Sequence, residues 1–296
     1  MTPLEERPAE PLDEPRSAGR AWKLGLPVWV AVPGLVYYAL FFLAPLVIVV
    51  VISLGDPVGY GGVQLTFSGQ AFSTVFSPVF LTVFGRTLLF AALGTVLVLL
   101  AGFPAAYWIA RYGGNRKLLL VALLVIPFWT SFLLRTYAFL IMFGEDWFVV
   151  RALRAVGFDD VTLLGTNSAV FIVLVYTYLP LAVLPLFASL ERMDWRLVEA
   201  ARDLGASGWG AFCQVTLPAV RRGVATGMLL VFVPMTGEYV VPQIVGSGTS
   251  VLYANLVGQQ FLAAQNWPLG AALAVFLIVV VGAVSLVVLL AQRDDR

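Results

Sequence analysis

Histidine is absent from this chain of 296 residues, and cysteine occurs once, as Cys213. Without histidine, the chain lacks the usual general base and the commonest ligand for transition metals. A single cysteine can form neither an internal disulfide nor a cysteine metal cluster. No carboxylate pair and no serine with a nearby base stands out either, so we expect no catalytic residues, no metal site and no enzymatic activity.

Charged residues are also scarce, at 12% of the chain against about 25% in ordinary soluble domains. The net charge of +1 and the absence of a basic stripe argue against nucleic acid as a partner. A phosphate-binding GxxxxGK[ST] loop is missing, because neither Lys23 nor Lys117 follows a glycine in that arrangement. We therefore expect no cofactor and no ATP site in this chain.

Apolar residues make up 60% of the sequence, against about 45–50% in ordinary soluble domains. They form six runs, each long enough to cross about 30 Å of hydrocarbon at about 1.5 Å per residue. These predicted spans one to six cover residues 27–54, 82–110, 117–142, 168–189, 222–245 and 269–291. The sequence predicts an all-α, polytopic membrane protein with six transmembrane helices.

The regions outside the spans complete the domain organisation. Residues 1–26 are rich in proline and carry mixed charge, a composition that predicts a disordered tail. The first apolar run begins too late and is too long for a cleavable signal, so we expect it to be retained. We divide the chain into a tail at 1–26, a first span with an outer loop at 27–81, a transmembrane core at 82–291 and a short tail at 292–296.

Lysine and arginine predict the orientation, because the cytoplasmic side of a membrane retains these residues. If the N-terminus is cytoplasmic, all but four of the 18 basic residues lie on that side. The four others are Arg86, Arg135, Arg151 and Arg154, which fall outside or near the outer face. We therefore expect both termini and the charged loop between spans four and five to be cytoplasmic.

Helix breakers interrupt span five more than any other span. Pro234, Gly237, Pro242 and Gly246 surround Glu238, and each frees backbone groups that lipid cannot satisfy. An ionisable group within such a span is a functional-site hypothesis by default. At the start of the same span, Gly223 and Gly227 have the four-residue spacing that allows close contact between helices, either for ordinary packing or for a specific interface.

The cytoplasmic loop at 190–221 predicts two short helices. Asp194 is a suitable N-cap for a helix over 195–204, and Gly205 suits the left-handed position after its end. A second helix is predicted to begin near Ser207 and to reach Pro218 at the foot of span five. The two helices are expected to form a compact projection that is tied to spans four and five.

This loop resembles the EAA loop of ABC importer permeases at every spacing. The matching residues are Glu199, Ala200, Ala201, Gly205, Val215, Leu217 and Pro218. The resemblance implies a type I importer fold in a bacterial inner membrane, in which residues near 194–208 dock on a separate ATPase that binds ATP and Mg. It also implies an ATPase pair, a second permease subunit that we expect to be a paralogue, and an extracytoplasmic binding protein. Asp194, Glu199, Ala200, Ala201, Gly205 and Pro218 are the predicted coupling residues.

A narrower resemblance, to permeases for spermidine and putrescine, lies in three segments: IPFWTSFLLRTYAF at 126–139, VFVPMTGEYVVPQIVG at 231–246 and NWPLG at 266–270. A polyamine that leaves water needs carboxylates or aromatic faces. The predicted path residues are therefore Glu238, Tyr239, Trp129, Tyr137 and Trp267, with Phe128 as a further aromatic residue.

Several alternatives remain open at this point. Counting from the cytoplasmic ends places Arg135 and Glu238 within about 3 Å in depth, so they can instead form a structural ion pair, or Glu238 can contact another subunit. The same machinery can carry an iron complex, thiamine or another amine. An ion-coupled secondary transporter, a passive channel and a membrane scaffold are less consistent with the EAA loop and the broken fifth span.

Overall fold

The structure is a computed structural model that describes residues 28–158, 162–248 and 250–292. The tail predicted at 1–26 and residues 293–296 lie outside the described residues. The helices in chain order are α1 Val28–Tyr38, α2 Ala44–Ser53, α3 Gln70–Val75, α4 Pro78–Tyr112, α5 Lys117–Val125, α6 Phe132–Met142, α7 Phe148–Ala155, α8 Asn167–Glu191, α9 Arg196–Asp203, α10 Gly208–Ala211, α11 Leu217–Ala219, α12 Arg221–Thr236, α13 Val240–Ile244, α14 Tyr253–Leu262 and α15 Trp267–Ala291. One antiparallel pair of strands, β1 Asp56–Val58 and β2 Gly62–Gln64, follows α2.

The chain divides into two units between Leu46 and Val47. In the first unit, α1 leads into a π-helical turn at Ala39–Leu43 and then into the start of α2. Aromatic rings one turn apart pack along this helix, with centroids 4.9 Å apart for both Tyr37–Phe41 and Tyr38–Phe42. The second unit holds the rest of the described chain, including every residue of the predicted sites.

The six predicted spans correspond to four continuous helices and two broken ones. The continuous helices that are long and apolar enough to cross a membrane are Val32–Ser53, Pro78–Tyr112, Asn167–Glu191 and Trp267–Ala291. Gly114–Trp129 with Phe132–Met142, and Gly208–Ala219 with Arg221–Thr236, are bent pairs that meet the same test, with bends of 84° and 70°. Within the predicted span five there is a further break, which we call the break in span five, because α12 ends at Thr236 and α13 begins only at Val240.

The centre of the second unit is formed by α4, α8 and α12, which pack on one another. Val98, Leu174 and Met235, one from each helix, are fully buried in one apolar cluster. Glycine allows the close approach of two of them: a Cβ on Gly94 of α4 would lie 2.4 Å from the Met235 sulfur of α12. Small residues at such contacts are the usual means of bringing membrane helices together.

Gly223 and Gly227 bring the start of α12 against α8. A Cβ on Gly223 would lie 2.4 Å from Cβ of Ser189 and 2.9 Å from the carbonyl oxygen of Pro185. A Cβ on Gly227 would lie 3.3 Å from Leu99 and 3.4 Å from the Ala182 carbonyl oxygen. The packing interpretation of this glycine pair is therefore confirmed.

The connection between α2 and α3 is a compact hairpin. The hydroxyls of Ser68 and Thr66 donate hydrogen bonds to the Asp56 carboxylate at the start of β1. These two hydrogen bonds, that from Ser68 first, hold the pKa of Asp56 below its ordinary value. The carboxylate therefore stays ionised, and it joins the two ends of the hairpin.

The fit of Gly223 against α8 gives a direct test of the bundle. Gly223→Ala is expected to lower the thermal midpoint of the detergent-solubilised protein by several degrees, because the added methyl collides with Ser189 and the Pro185 carbonyl, and overpacking of this kind costs about 1–3 kcal/mol. Gly282→Ala in α15 is the control, since its Cβ would meet nothing within 4 Å. Equal midpoints for the two variants would contradict the packing.

Candidate functional site

The loop at 190–221 begins with the cap that the sequence predicts. The Asp194 carboxylate accepts a hydrogen bond from the Arg196 N–H at 3.0 Å, so one of the free amides at the start of α9 is satisfied. The helix runs over Arg196–Asp203, one residue shorter at each end than predicted. Its first turn also contains Glu199, a favourable position for a carboxylate next to a helix N-terminus.

Gly205 ends this helix in the left-handed conformation, with φ of +91°. Its N–H donates to the carbonyl of Arg202, and the N–H of Ala206 donates to the carbonyl of Ala201, both at 3.0 Å. These two bonds form a Schellman motif, in which a residue without Cβ is strongly preferred at the left-handed position. The turn predicted from the sequence is confirmed.

The second half of the loop turns into the fifth span. The Ser207 hydroxyl accepts from the Gly210 N–H at 3.0 Å and caps α10. A π-helical turn at Phe212–Thr216 follows, then α11, with Pro218 in its first turn, where no intrahelical N–H is needed. The helices on either side of Val220 meet at 70°, so the loop and α12 form one bent unit.

One side of the loop is anchored on the bundle. Val198 and Ala211 are buried in a cluster that also contains residues of α4 and α8. The Trp195 ring packs edge-on against Tyr107 with centroids 5.3 Å apart, and the Arg111 guanidinium lies 5.1 Å from the same indole. These contacts fix the orientation of α9 relative to α4.

The opposite side of the loop is exposed and partly apolar. Glu199 and Ala200 are exposed on α9, and Ala201 is half-buried. Leu204 is 90% exposed and Trp209 is 74% exposed, an unusual degree for large apolar side chains at an aqueous surface. The loop that carries the predicted coupling residues therefore also exposes large apolar side chains that the sequence analysis did not single out.

The predicted path residues of the third span lie at its break. After the 3-10 turn Ile126–Trp129, Thr130 is extended, and α6 starts beyond Ser131. Trp129 is 82% exposed and Tyr137 is 51% exposed, so both present an aromatic face away from this chain.

Glu238 lies at the break in the fifth span and is only 6% exposed. The Tyr178 hydroxyl of α8 donates to Oε2 at 2.6 Å. The N–H groups of Val240 and Val241 donate to Oε1 at 3.0 Å and 3.3 Å. The carboxylate thus caps α13 and also ties the break to α8.

Arg135 is not among the partners of Glu238, so the structure does not form the predicted ion pair. The Arg135 guanidinium lies 5.4 Å from the centroid of the Phe128 ring. The depth estimate counted residues along a straight span, whereas span three bends by 84° before Arg135. Equal depth also says nothing about which side of a helix a residue occupies.

The other two predicted path residues occupy different surroundings. Tyr239 follows Glu238 directly, and its ring lies against Gly258 of α14, where a Cβ would be 2.7 Å from Cε2. Trp267 starts α15, packs on Phe261 at 6.4 Å and borders a cleft of about 510 Å³ together with Val63 of the hairpin. Within the part of the chain that the structure describes, the side-chain hydrogen bonds of Glu238 go to Tyr178, Val240 and Val241, and not to Trp129, Tyr137 or Trp267.

Sequence reasoning missed the polar residues that hold the broken span in place. Tyr178 and Asn255 are buried at 7% and 2% exposure, and each bonds to residues 238–243. A tyrosine within an apolar span was the available signal for the first, because a buried hydroxyl requires a partner. Asn255 lies in a stretch without charge, and nothing in the local pattern indicated its contacts.

Residues 99–294 match the family model described as "binding-protein-dependent transport system inner membrane component". The spermidine/putrescine transport system permease protein PotB of Escherichia coli (strain K12) is 35% identical over 233 residues, which are 78% of this chain and 85% of that protein. The protein of the same name from Haemophilus influenzae is 33% identical over 241 residues, which are 81% of this chain and 84% of that protein.

A solved structure shares the fold. The crystal structure of a bacterial ABC transporter involved in the import of the acidic polysaccharide alginate matches with a TM-score of 0.69 at 16% identity, over 91% of this chain and 95% of that chain.

The partners of Glu238 predict a clear order of stability. Glu238→Ala leaves two backbone amides and the Tyr178 hydroxyl unpaired in a buried place, where each unpaired group costs about 1–3 kcal/mol. Glu238→Gln keeps an oxygen for the two amides, and the Tyr178 hydroxyl can rotate to accept from the new NH₂ group. Thermal unfolding in detergent should therefore give a much lower midpoint for Glu238→Ala than for Glu238→Gln. Similar midpoints for the two variants would contradict the capping role.

Proposed function

This chain belongs to the family of binding-protein-dependent transport system inner membrane components, and we propose that it forms part of the membrane path through which an ABC importer takes up polyamines. It is a transport permease of the inner membrane with the fold of type I importer permeases, as its sequence predicted. The polyamine cargo rests on one observation, the likeness over about four fifths of the chain to permeases named for spermidine and putrescine.

The cytoplasmic loop is the surface that receives the ATPase in this proposal. Its exposed side combines the carboxylate of Glu199 with the apolar side chains of Leu204 and Trp209. Exposed apolar patches on a polar background are typical of surfaces that bind another protein. That partner binds ATP together with Mg and hydrolyses the ATP, and a pair of ATPase subunits serves this chain and a second permease subunit.

The structure of the loop explains how force can reach the membrane. The Schellman turn at Gly205 joins α9 to α10, and the bent unit continues from α10 through Val220 into α12. Burial of Val198 and Ala211 keeps the loop attached to α4 and α8. A displacement of the loop by the ATPase is therefore passed to α12 as a rotation or tilt.

The path itself offers aromatic rings and neutral polar groups on this subunit. Trp129 and Tyr137 are exposed at and beyond the break in span three, and an ammonium group binds favourably over such rings by about 0.5–2 kcal/mol. Glu238 is buried and holds three donors, which supports a positioning role better than direct contact with cargo. Carboxylates that meet the cargo are then supplied by the second permease subunit or by the binding protein.

The orientation follows from the distribution of basic residues. We place both termini and the coupling loop in the cytoplasm, which puts the hairpin at 56–64 and helices α7 and α14 on the outer side. The extracytoplasmic binding protein delivers cargo to that side. The second permease subunit, a paralogue in this proposal, completes the path.

Uptake of labelled cargo tests the proposed substrate class. Cells that lack this gene should lose energy-dependent uptake of radiolabelled putrescine or spermidine, and should regain it when the gene is returned. Unlabelled polyamines should compete, whereas thiamine and iron complexes should not. If the deletion strain keeps its polyamine uptake but loses uptake of another nutrient, the assignment of polyamines as the cargo is refuted and the family assignment is unaffected.

A charge reversal tests the coupling surface. Glu199→Arg should insert and unfold normally, because the side chain is exposed, but co-purification of the ATPase and uptake should fall at least tenfold. Glu145→Arg, an exposed carboxylate between α6 and α7, is the matched control and should retain the ATPase. Normal uptake by Glu199→Arg would contradict docking through this surface.

A further inference from the structure

The segment between spans five and six is unusual for a connection. Residues 246–270 contain no charged side chain, and Leu252, Tyr253 and Asn255 within it are almost fully buried. Helix α14 has only 10 residues, about 15 Å at about 1.5 Å per residue, which is too short to cross a membrane. The segment is thus inserted among the ends of the neighbouring helices.

Side chains satisfy the first backbone amides of α14. The Leu252 N–H donates to Oδ1 of Asn255 at 3.1 Å. The Tyr253 N–H donates to the Thr87 hydroxyl oxygen of α4 at 2.9 Å, and that hydroxyl donates to the Val83 carbonyl. The N-terminus of α14 is therefore attached to α4, which does not contain the break.

The amide group of Asn255 makes the opposite connection, to the broken span. Its Nδ2 donates to the carbonyl oxygen of Tyr239 at 2.9 Å and lies 3.5 Å from Oε1 of Gln243. One buried side chain therefore uses both of its polar atoms, one within α14 and one on residues 239–243. The Tyr239 carbonyl also accepts from the Gln243 N–H at 3.2 Å, so Asn255 is its second donor and adds a bond from outside the broken span.

Packing brings α14 into close contact with the same residue. Gly258 is the residue against which the Tyr239 ring lies, and a Cβ there would be 2.7 Å from Cε2 of the ring. Tyr253 packs edge-on against Phe84 of α4 at 5.1 Å. Helix α14 is thus held between a contact on α4 and a contact on the break in span five.

We propose that Asn255 is a positioning residue for transport, which holds α14 against the break at residues 237–239. We call this contact between α14 and the break the latch. The proposal rests on the proposed function, because α12 runs from the coupling loop directly to that break. When α12 moves, the Tyr239 carbonyl moves with it, and the bond to Asn255 passes that movement to α14. Glu238 holds the other side of the same break on Tyr178.

Accessibility of an engineered cysteine tests the latch without reference to cargo. The reporter is Val257→Cys on α14, in a chain whose natural thiol is removed by Cys213→Ser. The assembled transporter in native membranes is treated from outside with a membrane-impermeant maleimide. Asn255→Ala should raise the labelling rate of this reporter about fivefold or more. Val150→Cys, a fully buried position on α7, should stay protected in the same variant.

Two further variants separate the latch from general loosening. Gly258→Ala, which collides with the Tyr239 ring, should also raise labelling of the Val257→Cys reporter. Gln259→Ala, an exposed polar side chain on the same helix, should leave it unchanged. In the purified complex, Asn255→Ala should also raise ATP hydrolysis without binding protein about threefold, a change that loss of stability alone does not produce.

The outcomes that overturn the latch differ from those that overturn the cargo. Unchanged labelling of Val257→Cys in Asn255→Ala, or equal increases for Val257→Cys and Val150→Cys, would refute it. Failure of polyamine uptake alone would refute the cargo and leave the labelling result valid.

Discussion

Backbone groups that a broken membrane helix leaves unpaired cannot turn to water, and this constraint governs the functional half of the molecule. At the break between α12 and α13, the Glu238 carboxylate accepts from the amides of Val240 and Val241. The Tyr239 carbonyl accepts from the Gln243 N–H and from the side-chain amide of Asn255. The break is therefore a defined joint with a fixed set of partners. Glu238 also accepts from Tyr178 of α8, and Asn255 lies on α14, so the joint connects the fifth span to both neighbouring helices.

The joint follows directly on α12, and the other end of α12 joins the loop at 190–221 through the bend at Val220. Gly223 and Gly227 bring the start of α12 into close contact with α8. The loop itself is held by the Schellman turn at Gly205 and by the burial of Val198 and Ala211 against α4 and α8. In the function that we propose, α12 therefore connects the surface that receives the ATPase to the break at residues 237–239.

Local features were predictable to within a residue or two, because short-range chemistry determines them. The Asp194 cap, the left-handed Gly205 and the start of α10 at Ser207 each depend on hydrogen bonds within five residues. The interruption of span five around Glu238 was also foreseen, since proline and glycine mark it. The alternative of an ion pair between Arg135 and Glu238 does not form in the structure, because depth along a span omits both the bend of 84° and the side of the helix.

The sequence by itself determined the class of the protein, its six spans and the local form of the coupling loop, since apolar run length, helix breakers and caps act over short distances. Only the tertiary structure decided what Glu238 and Asn255 do. Glu238 bonds to Tyr178 of α8, 60 residues away in the chain, and Asn255 bonds to Tyr239 in the break, 16 residues away. The neighbouring bond between Thr87 and Tyr253 joins residues 166 apart. Such contacts follow from how the helices pack, because residues far apart in sequence meet only after each helix has buried its small residues against the next.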